Sequence, residues 1–160
     1  MYLPDYFDIN AMIFNKRPIA ISADYRPTFR ITLIALVLLI CSSRKKASLL
    51  KLHLFSWALK GTENMNAIYD LLANRRREVI HLWSIEPSLN RALRWGVSEA
   101  VFNLEGNKYL LTEKGEMLAE MAMDDDEILS KEKEFLRRIR KSLSEKKVTE
   151  FSKNWLNSNA

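Results

Sequence analysis

The sequence predicts a mainly α-helical fold with one two-stranded β-hairpin, and three observations support this prediction. Apolar residues recur at helical spacing through most of the 160 residues. The four glycines and four prolines are too few for the frequent turns of a β-sandwich or barrel. The apolar period changes to two around Glu105-Gly106-Asn107. With 48% hydrophobic residues, the chain is expected to form one ordered domain with an additional arm.

Residues 1–27 are predicted to form the arm. Prolines interrupt any helix in this segment, and residues 19–22 have the composition of a short strand. The arm is rich in aromatic side chains, which predicts that it packs on its own domain or on a partner. The candidate partner-binding residues in it are Tyr2, Tyr6, Phe7 and Phe14.

The first helix is predicted to start at a Thr28 cap and to end near Cys41. It contains the strongly apolar run 31–41, whose eleven residues fall short of the roughly 20 that cross a membrane. The run is therefore predicted to be core, and the chain is expected to be cytoplasmic, with no membrane partner. A lone cysteine excludes an intrachain disulfide and a Cys-rich zinc site.

The second helix is predicted over about residues 47–59, after a polar break at 42–46, with Gly61 stopping it. Its apolar stripe includes His53, which is interpreted as a core histidine. Lys51 and Lys60 lie off that stripe and are expected outside the core.

Two further helices and a strand are predicted between residues 62 and 99. The third helix opens at Thr62 and ends near Arg75, and residues 79–83 read as a short strand that contains His81. The fourth helix begins at Pro87, a residue that favours the first helical position.

The hairpin is predicted to pair residues 101–104 with 108–111. Its Gly-Asn turn suits positive φ, and Thr112 then caps a helix that carries Met117, Leu118, Met121 and Ala122.

The C-terminal segment 124–160 is predicted to be a charged amphipathic helix with a polar tail. Four carboxylates, residues 124–127, are placed at its N-terminus, where the helix dipole favours negative charge. Its apolar face follows from Ile128, Phe135, Ile139 and Leu143. Phe151 and Trp155 are candidate partner-binding residues in this segment.

Charge is segregated along the chain, although the net charge is only +5. Residues 28–94 carry eleven Lys/Arg and four Asp/Glu, residues 99–127 carry two and nine, and residues 131–153 carry nine and four. This basic–acidic–basic pattern is not that of a uniform polyanion binder, and it allows partners of either charge on different faces.

Arginine and asparagine on the fourth helix suit the reading of base edges in duplex DNA, and short basic runs elsewhere suit phosphate contacts. The alternative reading of each run is a solvated helix end. The candidate DNA-binding residues are Ser88, Asn90, Arg91, Arg94, Arg75, Arg76, Arg77, Arg44, Lys45 and Lys46. The glutamates around the hairpin argue against a standard DNA reader, because a hairpin that tracks phosphates should be basic.

Three helices followed by a hairpin and a closing helix resemble the winged-helix arrangement, over residues 28–123. The order of Phe55–Leu59, Pro87–Leu93 and the motif Lys108–Gly115 resembles the middle-component subunits of bacterial ABC-three-component systems, over residues 28–122. One departure is Ala100, where such proteins usually have a glycine.

The resemblance implies a non-enzymatic accessory subunit that docks on an SMC-like ABC ATPase and an effector, as in Lamassu-type defence against phages and plasmids. It also implies that double-stranded DNA is engaged through the complex. No catalytic or phosphate-loop motif is present in the sequence, so no enzyme activity, metal, cofactor or small-molecule substrate is expected. The alternative is a dimeric winged-helix transcriptional regulator.

Overall fold

The computed structural model describes residues 26–75 and 86–158, the last five of these by backbone only. The described residues form seven α-helices and a three-stranded antiparallel sheet, which confirms the mainly α-helical prediction. The helices are α1 (Pro27–Cys41), α2 (Leu49–Ala58), α3 (Thr62–Leu72), α4 (Pro87–Ser98), α5 (Glu113–Asp124), α6 (Ser130–Ile139) and α7 (Glu145–Ser158). The strands are β1 (Lys46–Ser48), β2 (Phe102–Glu105) and β3 (Lys108–Leu111).

The apolar helix α1 lies at the centre of the fold. It packs against α2, α4, α5, α6 and β3, and Leu36 and Leu38 are fully buried. This confirms that the run 31–41 is core. In the described part of the chain, no helix has the length and apolar character needed to cross a membrane.

The predicted Thr28 cap of α1 is wrong. The helix starts two residues earlier than predicted, at Pro27, with Arg26 at the cap position and no side-chain cap. Proline suits this position because its fixed φ is already helical and its missing N–H would have had no helical partner. The Thr28 carbonyl instead accepts a hydrogen bond from the Thr32 hydroxyl, at 2.8 Å.

The position predicted for Lys51 is also wrong, because this residue is only 2% exposed. Its Nζ donates to the Cys41 carbonyl oxygen at 2.8 Å, at the C-terminal end of α1, where a cation satisfies a carbonyl that has no helical partner. Lys60 is exposed, as predicted. Gly61 does not stop α2, which ends at Ala58, but occupies the cap position of α3.

The predicted hairpin is confirmed. Strands β2 and β3 pair antiparallel with Glu105 opposite Lys108, which leaves a two-residue connection in which Gly106 has a φ of +62°. The sequence did not predict β1, which pairs with the other side of β3 and completes the sheet in the order β1-β3-β2. A strand of three residues is too short to show a period of two.

Helix α5 starts close beneath the hairpin. Thr112 caps it, since its Oγ1 accepts a hydrogen bond from the Gly115 N–H at 3.1 Å. A Cβ at Gly115 would overlap the Val101 carbonyl oxygen and the Leu111 side chain, so glycine permits this close approach. The Thr112 cap confirms the sequence prediction.

The C-terminal segment differs from the prediction of one amphipathic helix. Asp124 is the last residue of α5, and the other three carboxylates lie in the link before α6, so the run 124–127 does not start a helix. Ile128 is 42% exposed and does not join the apolar face. The helix also breaks near Arg140, whose φ is +48°, so that α6 and α7 are separate.

Helices α6 and α7 contribute to the same hydrophobic core as α1. The buried side chains on them and on their connection are Phe135, Leu136, Ile139, Leu143 and Val148. The Cys41 thiol, at the end of α1, donates to the Leu136 carbonyl oxygen at 3.4 Å. The break at Arg140 therefore folds the C-terminal segment onto the rest of the chain.

Candidate nucleic-acid and partner interfaces

Helix α4 presents two of the four candidate base-reading residues together. Arg91 and Arg94 are exposed and three residues apart, so they share one side of the helix. Ser88 is partly exposed in the first turn. Asn90 is partly exposed, like Ser88. Arg91 and Arg94 are therefore the two exposed members of this set of four residues.

A buried polar cluster holds the start of α4 against α1 and α2. The carboxylate of Glu86, at the cap position of α4, accepts hydrogen bonds from Arg30 Nη1 at 3.1 Å and from Ser56 Oγ at 3.0 Å, and it also pairs with Lys60. A largely buried carboxylate requires such partners. The adjoining cavity of about 30 Å³ has room for about one water molecule. We conclude that the cluster sets the orientation of α4.

His53 is 2% exposed, as predicted for a core histidine. Its Nδ1 accepts a hydrogen bond from the Glu86 backbone N–H at 3.3 Å. Burial lowers the pKa of His53, although the nearby Asn90 side chain opposes this shift. Its Nε2 has no hydrogen-bond partner among the described residues.

Lys45 and Lys46, predicted as phosphate contacts, pair with carboxylates of the region that follows α4. Lys45 Nζ lies 2.6 Å from a Glu116 oxygen on α5, and Lys46 Nζ lies 2.9 Å from a Glu105 oxygen on β2. These ion pairs compete with phosphate for the two lysines. Arg44 is the residue of this basic run that is exposed. The same pairs neutralise two of the glutamates that made the hairpin acidic in the sequence.

The remaining predicted residues are only partly covered by the structure. Arg75 is exposed after α3, and Arg76 and Arg77 lie outside the described residues. So do the predicted strand at 79–83 and the arm candidates Tyr2, Tyr6, Phe7 and Phe14, whereas Trp155 is described by its backbone alone. Phe151 is half-buried and packs against the core, as in a segment that completes its own domain.

An apolar surface on α5 was not recognised in the sequence. Met117 and Met121 are 64% and 67% exposed, the highest values among the large hydrophobic side chains described. They share one side of α5 with Glu113, Glu120 and Asp124, all exposed and spaced by three or four residues. We call these five residues the acidic methionine face.

The sequence analysis named these methionines together with Leu118 and Ala122 and did not distinguish which of the four face inward. In the structure the opposite side of α5 packs inward, through Gly115, Ala119 and Ala122. Small residues there let α5 approach α1, which leaves no room for a methionine in the contact. Methionine is adaptable and common at protein-binding surfaces.

The second surface missed in the sequence lies where α6 meets α7. Six cations are exposed within residues 137–147, and we call them the basic corner. They are Arg137, Arg138, Arg140, Lys141, Lys146 and Lys147. The sequence analysis counted their charge but placed them along one continuous helix, where successive residues point to different sides.

Two other buried groups have altered acidity. Burial raises the pKa of the Cys41 thiol to about 12, so this thiol is protonated at neutral pH. Burial lowers the pKa of Lys51. Among the residues that the structure describes, there is no group of three or more His, Cys, Asp or Glu side chains placed to hold a metal ion.

A scan against protein-family models and searches of curated proteins and of solved structures found no match to the chain.

Proposed function

We propose that the chain is a winged-helix accessory subunit that docks on a larger protein in the cytoplasm and performs no catalysis itself. The partner we propose is an SMC-like ABC ATPase that works with an effector in a bacterial defence complex against phages and plasmids. The observation that carries the docking role is the acidic methionine face of α5.

The winged-helix assignment is supported by the order of elements. Helix α4 leads through a short turn into the β2–β3 hairpin, and α5 closes the unit directly after β3. Strand β1, which lies between α1 and α2, adds to the free side of β3. Such a fold serves many functions, so the function has to be argued from its surfaces.

The acidic methionine face supports a protein partner. Two methionines exposed by about two thirds of their surface leave water only when another apolar surface covers them. The carboxylates around them, on Glu113, Glu120 and Asp124, complement a basic partner. A partner segment with apolar side chains flanked by lysine or arginine fits both features.

The identity of the partner rests on the resemblance to the middle components, carried by Phe55–Leu59, Pro87–Leu93 and Lys108–Gly115. Two of these segments form the first part of α4 and the run from β3 into α5. The resemblance also supplies the effector and the defence role.

Affinity purification of the tagged chain from the cells that produce it, followed by mass spectrometry, tests the proposal. We expect a large ATPase with a phosphate-binding loop and coiled-coil segments to co-elute. Met117→Lys with Met121→Lys should abolish its recovery, because the substitution removes the apolar contact and places cations opposite a basic partner. The control is Leu50→Lys with Val97→Lys, two apolar residues exposed elsewhere, which should keep the partner.

The second candidate function, a dimeric DNA-binding regulator, is favoured by the exposed pair Arg91 and Arg94. A regulator would elute as a dimer and shift one specific promoter fragment. Arg91→Ala with Arg94→Ala would then cost about 1–3 kcal/mol on that site and little on other duplexes. Recovery of the dimer alone, with this site-specific loss, would contradict the subunit proposal.

A further inference from the structure

The basic corner gathers positive charge from two helices at one place. Arg137 and Arg138 lie in the last turn of α6, Arg140 and Lys141 lie in the connection, and Lys146 and Lys147 lie in the first turn of α7. The connection is only five residues long, residues 140–144, so the two helix ends stay close together.

Buried side chains hold the backbone of the basic corner in place. Ile139, Leu143 and Val148 alternate with the cations in the sequence and are buried to 2% exposure or less. Arg138 lies over the ring of Tyr69 at 4.6 Å from its centroid, and Arg140 Nε donates to the Arg137 carbonyl oxygen at 3.2 Å. The cations are therefore presented by a fixed backbone.

No cation of the corner forms a close ion pair within the described residues. Glu145 is the one carboxylate in residues 137–147, and it is turned away to accept hydrogen bonds from the Ser48 N–H at 2.9 Å and the Ser48 hydroxyl at 2.7 Å. None of the four ion pairs among the described residues involves a cation of the corner.

The placement of Lys146 and Lys147 costs stability. They lie in the first turn of α7, where the helix dipole is positive and where carboxylates would stabilise the helix. The N-terminal end of a 14-residue helix thus adds its field to that of the six side chains. Positive charges that destabilise the protein in the absence of a ligand are expected at a site that binds an anion.

The corner extends towards the sheet. Burial lowers the pKa of Lys51, the charge of Glu145 opposes that shift, and the charges of Lys108 and Lys141 add to it. Lys108 at the start of β3 and Lys141 of the corner are therefore near the same buried group.

The chemistry of the corner favours a duplex phosphodiester backbone over a lipid surface or a single strand. A helix that binds a lipid surface pairs its cations with exposed apolar side chains, and here Ile139, Leu143 and Val148 are buried. Single-stranded nucleic acid is held by stacking of bases on aromatic rings, and Tyr69 is covered by Arg138. A duplex backbone requires only spaced cations.

We propose that the basic corner binds the phosphate backbone of double-stranded nucleic acid without reading its sequence. This surface is distinct from the α4 arginines and from the acidic methionine face, and the proposal does not depend on the identity of the protein partner.

The test is fluorescence anisotropy of the full chain with duplexes of about 25 base pairs between 50 and 300 mM salt. Two DNA duplexes of unrelated sequence should bind with equal affinity. The corner variant carries Arg140→Gln, Lys141→Gln, Lys146→Gln and Lys147→Gln. We expect it to bind at least tenfold more weakly at 100 mM salt, with the slope of log K against log salt lowered by about 3 to 4, since each lost phosphate contact accounts for about 0.9.

The control carries Arg26→Gln, Lys131→Gln and Lys153→Gln, which removes three positive charges from exposed positions that belong to none of the candidate binding surfaces. It should keep the wild-type slope. Circular dichroism melting checks that both variants fold, and if the fourfold corner variant does not, Lys146→Gln alone should lower the slope by about 0.9. An RNA duplex of equal length identifies which nucleic acid is preferred, and binding of either duplex supports the proposal.

Three results would overturn the proposal. One is a loss of slope in an Arg91→Gln with Arg94→Gln variant instead of the corner variant, which would assign binding to α4. Another is a single strand that binds more tightly than its duplex. The third is the absence of duplex binding at 50 mM salt, including the case in which phosphatidylserine vesicles bind instead.

Discussion

Lys133 is a buried cation that completes the end of one helix from within another. It belongs to α6, is 2% exposed, and donates from Nζ to the Ala122 carbonyl oxygen at 3.0 Å and to the Asp125 carbonyl oxygen. Both acceptors lie at the C-terminal end of α5, where carbonyls lack helical partners. Lys51 does the same for Cys41 at the end of α1.

We predict that Lys133→Met destabilises the fold by about 1–3 kcal/mol, because two carbonyls at the buried end of α5 lose their donor while the side-chain volume is kept. The matched control is Lys131→Met, on the same helix but exposed, which should change stability by less than about 0.5 kcal/mol. Urea unfolding of both variants measures the difference. Equal stabilities would show that water replaces the ammonium group at no cost.

Charge and hydropathy predicted the burial of most core residues, but they did not predict which long, flexible side chains are buried and which are exposed. The side chain of lysine is an apolar chain with one ammonium group at its end. Lys51 and Lys133 are therefore buried along this chain while the ammonium group donates to backbone carbonyl oxygens. Methionine is apolar, yet Met117 and Met121 face solvent because small residues form the inner side of α5. In each case the side of a helix that packs inward was set by its neighbours in the fold, which a single sequence does not display.

At the scale of the element, α4 ends in a motif that calls for glycine. The Val101 N–H donates to the Gly96 carbonyl oxygen at 2.8 Å and the Ala100 N–H donates to the Val97 carbonyl oxygen at 3.1 Å. This pair of hydrogen bonds requires a left-handed residue after the helix, and Ala100 has a φ of +58°. Helix α3 ends in the same way with Asn74, a residue that tolerates this conformation better.

We predict that Ala100→Gly stabilises the protein by about 0.5–1 kcal/mol, since glycine removes the left-handed strain at a smaller cost in unfolded-chain entropy. The matched control is Ala73→Gly, an exposed alanine at the end of α3 with a φ of −86°. There the same exchange should destabilise by about 0.5–1 kcal/mol. Thermal melting of both variants decides the sign, and a lower melting temperature for Ala100→Gly would refute the strain argument.

Elements with several turns or with a distinctive turn were predictable, and short elements were not. The hairpin was identified from its period and from Gly106, and α4 from Pro87. Strand β1 was not predicted because its three residues form a strand only by pairing with β3. The break at Arg140 was not predicted because the apolar residues keep their helical spacing across it. Leu143 follows that spacing, but it is buried after the chain has changed direction.

At the scale of the whole molecule, folding sorts the three charge blocks in different ways. The basic run 44–46 is brought onto the glutamates of β2 and α5, so part of each block cancels. The acidic methionine face on α5 and the basic corner between α6 and α7 keep their charge at the surface. The sequence showed the three charge blocks. Which charged side chains of these blocks lie close together in the fold depends on β1 and on the break at Arg140.

The sorting depends on α1, because α5 and α6 pack on it. We predict that Leu36→Asp unfolds the entire described fold rather than a part of it. Leu36 is fully buried in the middle of α1, and an unpaired buried carboxylate costs several kcal/mol, against a total stability of about 5–15 kcal/mol for a domain. Leu50→Asp is the matched control, because Leu50 is 37% exposed in the first turn of α2, where a carboxylate suits the helix dipole. Circular dichroism and gel filtration should show an unfolded chain for the first variant and a folded one for the second. A folded Leu36→Asp variant, released from a membrane fraction that holds the wild type, would mean that α1 faces lipid and that the core assignment is wrong.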